Sequence, residues 1–252
     1  MDTGFVVVHV PHASVFIPDE YRRSIILSDE DLRREVVTMT DAFCDELYGG
    51  VGVQVKAPVS RYVCDMERFR DDADEPCAKK GQGLMYTHTI FGVPMREYDL
   101  ALRDKILREF YDPHHARLTA AVDEVLAKYG KCLIIDGHSF PEEIFREEYP
   151  DGLPNFDIGT DDFHTPPGLR DALCGKLREM GYSYAVNKPY SGTIAPMKHY
   201  GKDRRVVSVM IETNRRVYQL PGKMEKNQDF DAVRNACREL ILCAAKWCLA
   251  NL

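Results

Sequence analysis

The chain has 252 residues, of which 44% are hydrophobic and 29% are charged. This length and composition can bury one sizeable core, so we expect a single domain covering residues 1–252. The net charge of -7 argues against a nucleic-acid partner, because phosphate binding needs a basic surface. A small anionic substrate needs only a local cluster of arginines, and it is not excluded.

Cysteine usage and apolar runs bear on the compartment. No two of the eight cysteines have C-x-x-C spacing, and several stand in apolar stretches such as 131–135. Free cysteine behaves as a small hydrophobic residue, so we expect buried, reduced thiols. The apolar run 5–10 is too short to span a bilayer, and the start of the chain lacks the pattern of a signal peptide. We expect a cytoplasmic protein that binds no membrane, and its oligomeric state stays open.

The patterning alternates between strands and helices along the chain. In chain order we expect a strand at 5–10, helices at 28–35 and 40–47, strands at 51–57 and 60–65, a polar loop at 70–83, a helical stretch at 98–129 interrupted by Pro113, a strand at 131–136, a loop at 140–152, a helix at 167–180, a strand at 206–211 and a helix at 229–252. Continuous apolar runs are typical of buried parallel strands. The sequence therefore predicts an α/β fold with a mixed, mostly parallel sheet flanked by helices.

Polar side chains follow the three most apolar predicted strands. His12 follows the first, Asp136 and His138 come at the end of the second, and Glu212 follows the third. Ligands of open α/β sheets bind at the carboxyl ends of the strands. We therefore expect these side chains to meet at one edge of the sheet.

His12 and His138 are candidate metal ligands. Gly137 would permit a tight turn before His138, whereas His12, taken alone, could instead bond nearby backbone as a loop histidine. A zinc site needs a third ligand and an open position for water. We favour Asp41, at the start of a predicted helix, for the third ligand. Asp136, two residues before His138, could be either that ligand or an acceptor that holds a ligand histidine.

Glu212 is the candidate general base. A carboxylate at the end of a buried strand is costly unless it is paired, metal-bound or functional. As a base it would take a proton from water and return it to the leaving amine; the alternative is a salt bridge with Arg215 or Arg68. Arg61, Arg68, Arg215 and Arg216 stand in short polar segments beside strands. Together they indicate a substrate with a carboxylate, although each alone could form a surface ion pair.

Short motifs occur in a recognisable order along the chain. They are Pro11-His12-Ala13-Ser14, Thr40-Asp41, Ser60-Arg61-Tyr62-Val63-Cys64-Asp65, Asp136-Gly137-His138-Ser139, Asp157-Ile158-Gly159-Thr160, Asn187-Lys188-Pro189-Tyr190-Ser191-Gly192 and Ile211-Glu212-Thr213-Asn214-Arg215. In this order the series resembles the N-formylglutamate amidohydrolase family over nearly the whole chain.

The resemblance implies a phosphorylase/hydrolase-like fold akin to the zinc carboxypeptidases. It also implies hydrolysis of N-formyl-L-glutamate to formate and L-glutamate, a step of histidine breakdown, with zinc on His12 and His138 and Glu212 as the base. The sequence departs from these patterns at two positions. Val15 stands where carboxypeptidases place a ligand Glu, so another residue must supply the third ligand. Glu67 stands where the family commonly has Asn, and its negative charge would weaken the binding of a dianionic substrate.

We expect metal-assisted hydrolysis of a small anionic amide, with one divalent ion, zinc, as the cofactor. Arg68 or Arg61 would stabilise the oxyanion, and Arg215 would hold the substrate carboxylate. The segment 187–192 would line the substrate pocket, or it would be only a turn shaped by its Pro and Gly. Its candidate substrate-binding residues are Asn187, Tyr190, Ser191 and Gly192.

Other functions remain open at this stage. The substrate could be another acylated amino acid or a peptide fragment. The protein could also be a non-catalytic module that binds an anionic metabolite, although the retained ligands and base argue against it. A cysteine amidase is disfavoured, because Cys64 and Cys132 lie in predicted strands, a poor setting for a nucleophile.

Overall fold

The computed structural model describes residues 2–252, and the chain forms two compact units. The first, which we call the sheet unit, contains residues 2–10, 43–55 and 118–252. The second, which we call the inserted unit, contains residues 11–42 and 56–117. The expectation of one domain over residues 1–252 stays a prediction.

The sheet unit is built on six strands. They are β1 (Val6–Val10), β2 (Val53–Lys56), β3 (Cys132–Phe140), β4 (Phe156–Gly159), β5 (Tyr184–Val186) and β6 (Val206–Asn214). Their order in the sheet is β2-β1-β3-β6-β4-β5. The pairs β1–β3, β3–β6 and β4–β5 are parallel, and β4 runs antiparallel to β6. The prediction of a mixed, mostly parallel α/β sheet is confirmed.

Every residue of β1, β3 and β6 is buried, as their continuous apolar runs predict. Two of these strands are longer than we predicted. The pattern placed His138 and Glu212 after the ends of their strands, but residues 132–140 of β3 pair with residues 206–214 of β6 without interruption. Both side chains therefore project from paired backbone. Glycine at position 137 lets the ring of Tyr48 pack closely against the backbone, and it does not form a turn. A Cβ atom there would lie 2.6 Å from Cδ2 of Tyr48.

The α-helices in residues 2–252 are α1 (Asp19–Arg22), α2 (Asp29–Met39), α3 (Cys44–Leu47), α4 (Leu100–Ile106), α5 (Asp112–Tyr129), α6 (Pro167–Glu179) and α7 (Phe230–Asn251). In the sheet unit, α6 and α7 pack against each other, α6 also packs on β4, and α7 packs on β3. The buried side of α7 repeats at helical spacing, with Val233, Cys237, Leu240, Ala244 and Cys248. Over residues 2–252 no helix is both long and apolar enough to cross a bilayer.

Several predicted helices are confirmed and one is mostly wrong. Ser28 caps α2, because its hydroxyl accepts the Asp31 N–H at 3.1 Å. The helix predicted at 40–47 is reduced to α3, since Phe43 has a φ of 65° and the chain before it is extended or turned. Asp41 therefore precedes the helix instead of beginning it.

The long helical stretch is confirmed with an interruption. A π-helical segment, Leu107–Tyr111, separates α4 from α5, and Pro113 is the second residue of α5. Proline has no N–H to continue the α-helical ladder, which explains why the regular pattern is broken just before it.

The inserted unit has its own apolar core around Tyr21, Val63, Met66, Leu84 and Ile106. The strand predicted at 60–65 is wrong. The N–H groups of Val63 and Cys64 both bond the carbonyl oxygen of Ser60, at 2.8 and 3.2 Å, so the segment turns. Its three consecutive apolar residues, Tyr62, Val63 and Cys64, are all buried because they enter a core of loops and short helices, and not because they line a sheet.

Candidate active site

In the sheet unit, four buried polar side chains share one face of the sheet. Register partners on neighbouring strands project to the same side, and His138 pairs with Glu212, which pairs with Asp157. Asp136 lies two residues before His138 on β3 and therefore projects to the same face. The strand register brings together the predicted base, one predicted ligand and two carboxylates.

Asp136 holds two imidazoles. Its Oδ1 lies 2.9 Å from Nδ1 of His9 and 3.1 Å from Nε2 of His138, and its Oδ2 accepts the N–H of Ile194 at 3.0 Å. Burial alone would raise the pKa of this carboxyl, but His138 and then His9 hold that pKa well below its usual value. Asp136 is thus an ionised group that fixes the ring of His138. These bonds favour an orienting role for Asp136 over the alternative role of metal ligand.

Arg215 lies at the end of β6, in a 3-10 turn, Arg215–Val217, that follows the strand. The turn is capped by Asn214, whose side-chain oxygen accepts the N–H of Arg216 at 3.2 Å. The buried guanidinium of Arg215 donates to the hydroxyl of Ser139 at 3.0 Å and to its carbonyl oxygen at 3.2 Å. Arg216 instead forms an ion pair with Glu142 at 3.0 Å and is 47% exposed, which matches the alternative of a surface pair.

In the inserted unit, two predicted ligands lie side by side. Nδ1 of His12 is 3.7 Å from Oδ2 of Asp41, and the N–H of Asp41 donates to the carbonyl oxygen of His12 at 3.0 Å. Nε2 of His12 is 2.8 Å from Oδ1 of Asp65. All three side chains are at least 95% buried. His12 therefore relates to Asp65 as His138 relates to Asp136.

Asp65 also lies close to the guanidinium groups of two arginines. Its Oδ2 accepts Arg61 Nη2 at 2.8 Å and the hydroxyl of Tyr86 at 2.5 Å, and Nε of Arg68 lies 3.6 Å away. Burial opposes ionisation of this carboxyl, but the charges of Arg61, His12 and Arg68 hold its pKa well below the usual value. Arg61 was predicted to bind substrate, and the structure places its guanidinium on Asp65. The substrate role of Arg61 and the oxyanion role of Arg68 stay predictions.

Sequence reasoning gave no role to Asp65 or Asp157. Asp65 stands four residues after Arg61 in one of the motifs, but the strand predicted at 60–65 would not bring the two side chains together. Asp157 accepts the N–H groups of Lys188 and Tyr190, each at 3.0 Å, and these contacts over about thirty residues leave no local pattern.

The segment 187–192 contains the other predicted substrate-binding residues. The side chain of Asn187 bonds Thr160 twice, accepting its N–H at 2.8 Å and donating to its hydroxyl at 2.9 Å. The ring of Tyr190 packs edge-on against Phe145, with centroids 5.5 Å apart. Ser191 is exposed and Gly192 has a φ of 92°. Their substrate-binding roles stay predictions.

The sequence model of the N-formylglutamate amidohydrolase family matches residues 5–219. The chain belongs to this family. Membership makes it an amidohydrolase, and the matched range contains the polar groups of both units, from His12 to Arg215. No curated protein matches the chain by sequence.

Solved structures agree with this assignment at the level of the fold. The N-formylglutamate amidohydrolase of Ralstonia eutropha JMP134 is similar, with a TM-score of 0.85 and 24% identity, over 100% of this chain and 96% of that one. A gene product of Agrobacterium tumefaciens is also similar, with a TM-score of 0.69 and 21% identity, over 97% of this chain and 91% of that one. This amidohydrolase thus shares its fold with both.

Proposed function

We propose that the protein hydrolyses N-formyl-L-glutamate to formate and L-glutamate, a reaction of histidine breakdown, and that it uses one divalent metal ion, with zinc as the first candidate. One observation carries the proposal. Each of two buried imidazoles is bonded through Nε2 to a buried carboxylate, His12 to Asp65 and His138 to Asp136. This arrangement is typical of histidines that bind a metal through their other nitrogen.

The donor chemistry fits the ion. His12, Asp41 and His138 would hold it, since two imidazoles and a carboxylate form a common ligand set for a catalytic zinc. Two ligands of a tetrahedral zinc, each about 2.1 Å from the ion, lie about 3.4 Å apart. The 3.7 Å between His12 Nδ1 and Asp41 Oδ2 is close to that value. When bound, the ion would polarise the formyl carbonyl and acidify a water molecule.

Position in the chain also supports a shared ion. β1 ends at Val10, two residues before His12, and β1 is the parallel neighbour of β3, which carries His138. Parallel neighbours end at the same edge of a sheet.

Glu212 would move the proton. Its carboxylate is buried beside His138 in the register of the sheet, so it would accept a proton from the attacking water and deliver it to the departing amide nitrogen. Water oxygen is added to the formyl carbon, the C–N bond breaks, and the proton that Glu212 delivers makes the leaving nitrogen a neutral amine. The second water proton, released as formic acid ionises to formate, then protonates that amine. The same side chain serves as base and then as acid.

The arginines would hold the anionic parts of the substrate. Arg215, fixed by Ser139 at the end of β6, would pair with a substrate carboxylate. Arg68, whose guanidinium is near Asp65 and the Tyr86 hydroxyl, would stabilise the negative charge that develops on the formyl oxygen. Asp65 offsets part of the positive charge of Arg61 and Arg68.

The test is release of formate from N-formyl-L-glutamate by the purified protein, before and after chelation and after zinc is added back. We expect activity that chelation removes and zinc restores. N-acetyl-L-glutamate and N-formyl-L-alanine serve as parallel substrates. Turnover of either in place of N-formyl-L-glutamate would move the assignment to another acylated amino acid, and folded, zinc-treated protein that is inactive on all three would contradict it.

A further inference from the structure

A segment at 187–194, which we call the clasp, is fixed at both ends by buried carboxylates. At its first end Asp157 accepts the N–H groups of Lys188 and Tyr190, each at 3.0 Å. At its second end Asp136 accepts the N–H of Ile194 at 3.0 Å. Between these points the clasp has no strand or helix of its own. Ser208 of β6 also holds it, since its hydroxyl donates to the carbonyl oxygen of Ile194 at 2.6 Å and bonds the Thr193 hydroxyl at 2.7 Å. Beyond Asn187 the course of the clasp is therefore set by side chains and not by a backbone ladder.

The position of the two carboxylates places the first end of the clasp beside the predicted base. Asp157 is on β4 and Asp136 is on β3, and β6 lies between these strands. On β6, Asp157 pairs with Glu212 and Asp136 pairs with Met210. The clasp must therefore cross β6 on the face that carries Glu212.

Close packing confirms this course. Gly159 pairs with Met210 on the same face, and a Cβ atom at Gly159 would lie 2.5 Å from the carbonyl oxygen of Gly192. The clasp thus lies directly on the sheet at this point. A side chain larger than hydrogen at position 159 would push it away.

Holding a loop with a buried carboxylate such as Asp157 costs free energy. It is fully buried, and within residues 2–252 its hydrogen-bond partners are backbone N–H groups and not a cationic side chain. Burial raises the pKa of this carboxyl, and the N–H groups of Lys188 and Tyr190 oppose that rise. A buried charge without a cation is unfavourable for stability, which points to a role in the site.

We propose that Asp157 is a positioning residue for the hydrolysis: it fixes the clasp so that the backbone at 190–192 borders the substrate beside Glu212. The inference rests on the proposed function. Asp157 itself does not touch the reacting atoms. It acts by holding the wall of the cleft, so its loss should mainly weaken substrate binding.

The test compares D157N with a matched control. Asparagine has the shape of aspartate but one acceptor oxygen, so it keeps at most one of the two N–H bonds and turns an amide N–H₂ toward the other. Asp161 is the control for loss of the charge alone, because its Oδ1 accepts both backbone N–H groups, from Phe163 and His164 at 2.8 Å each, outside the clasp, and an asparagine can keep both bonds. For D157N we expect kcat/KM to fall at least about tenfold, mostly through KM, with bound zinc unchanged. D161N should keep the wild-type kinetics.

Hydrogen exchange gives a second readout that separates the outcomes. The amides of Lys188 and Tyr190 should exchange faster in D157N, and in the wild type L-glutamate should protect residues 188–192. Kinetics within twofold of the wild type in folded D157N would overturn the inference, as would an equal loss in D161N. If D157N does not fold, absence of protection by L-glutamate in the wild type would overturn it. The formate-release assay of the wild type comes first, because a wild type that releases no formate contradicts the proposed function itself.

Discussion

His12 and His138 are each held by an ionised carboxylate, and this fixes more than their orientation. The pKa values of Asp65 and Asp136 are both held well below the usual value, so each accepts an N–H from Nε2 of its histidine. The other nitrogen, Nδ1, then carries the lone pair when the ring is neutral. Both neutral histidines would thus have the same tautomer, with Nδ1 left to bind the metal ion of the proposed function.

Asp65 should therefore affect metal affinity without being a ligand. In D65N the bond to His12 loses its charge and Arg61 loses its ion pair, so we expect zinc to bind about 10- to 100-fold more weakly. The measurement is a competition titration with a chromophoric chelator. D74N, an exposed aspartate in the same unit, is the control. Equal zinc affinity in D65N and the control would contradict the role assigned to Asp65.

Glu212 is predicted to move protons and not to bind the ion. E212Q keeps the size of the side chain and removes its basicity, so kcat should fall by about 10²- to 10⁴-fold while bound zinc stays at the wild-type level. The assays are formate release and metal content of the same samples. E179Q, on the exposed side of α6, is the control. Full activity in E212Q, or loss of its metal, would show that the base has been misassigned.

At the scale of elements, the apolar runs predicted where the central strands begin but not where they end. The patterns stop at Asp136 and Ile211, because the next residues are polar. The strands continue, since backbone pairing between β3 and β6 joins residues more than seventy positions apart. A polar residue within a strand can be tolerated only if its side chain finds a partner on the same face. Partners from distant strands, like His9 for Asp136, cannot be recognised from local sequence.

The turn before β6 also depends on a carboxylate. Asp203 accepts the N–H of Arg205 at 3.1 Å and its guanidinium at 2.9 and 2.7 Å, and the N–H of Val206 donates to its carbonyl oxygen at 3.1 Å. Bonding to the Arg205 side chain is the main reason that the pKa of this carboxyl lies below its usual value. The folded state therefore favours the ionised form.

A depressed pKa stabilises the protein above the unfolded pKa, about 3.9, and this contribution is lost as pH falls through the folded value. D203N should thus be less stable than the wild type at pH 6, and the difference should shrink at pH 3. Urea unfolding at the two pH values measures it. D162N, which replaces an exposed aspartate elsewhere in the sheet unit, is the control. A difference that stays constant between the two pH values would disagree with this account.

At the scale of the molecule, the alternation of strands and helices was enough to predict the α/β class. The inserted unit was not predicted as a separate body. A second apolar cluster of this unit combines Tyr62 and Tyr86 with Ile25 and Met95, which come from short helices and turns with no long periodic pattern. The order of the motifs nevertheless predicted the family, because motif residues such as Asp65, Asp136 and Asp157 are those whose contacts hold the site. The likeness to zinc carboxypeptidases stays a prediction.

The reactivity of the cysteine thiols reports on the packing around each of them. All eight are free; Cys44, Cys64, Cys132, Cys237 and Cys248 are buried, and the others are partly exposed. Burial raises the pKa of Cys132, Cys237 and Cys248 to about 12, so at pH 8 very few of these thiols are ionised. The thiolate is the form that reacts with alkylating reagents.

We expect iodoacetamide at pH 8 to modify the native protein only at Cys77, Cys174 and Cys243, and to modify all eight cysteines after denaturation. Peptide mass spectrometry after a short labelling time reads each position separately. The denatured sample is the internal control, because it shows that every thiol was reduced at the start. Labelling of Cys132 or Cys237 in the native protein as fast as that of Cys77 would mean that the packing of α7 and β3 opens readily. Slow labelling at both would show that the sheet which carries His138 and Glu212 is a rigid support for the site.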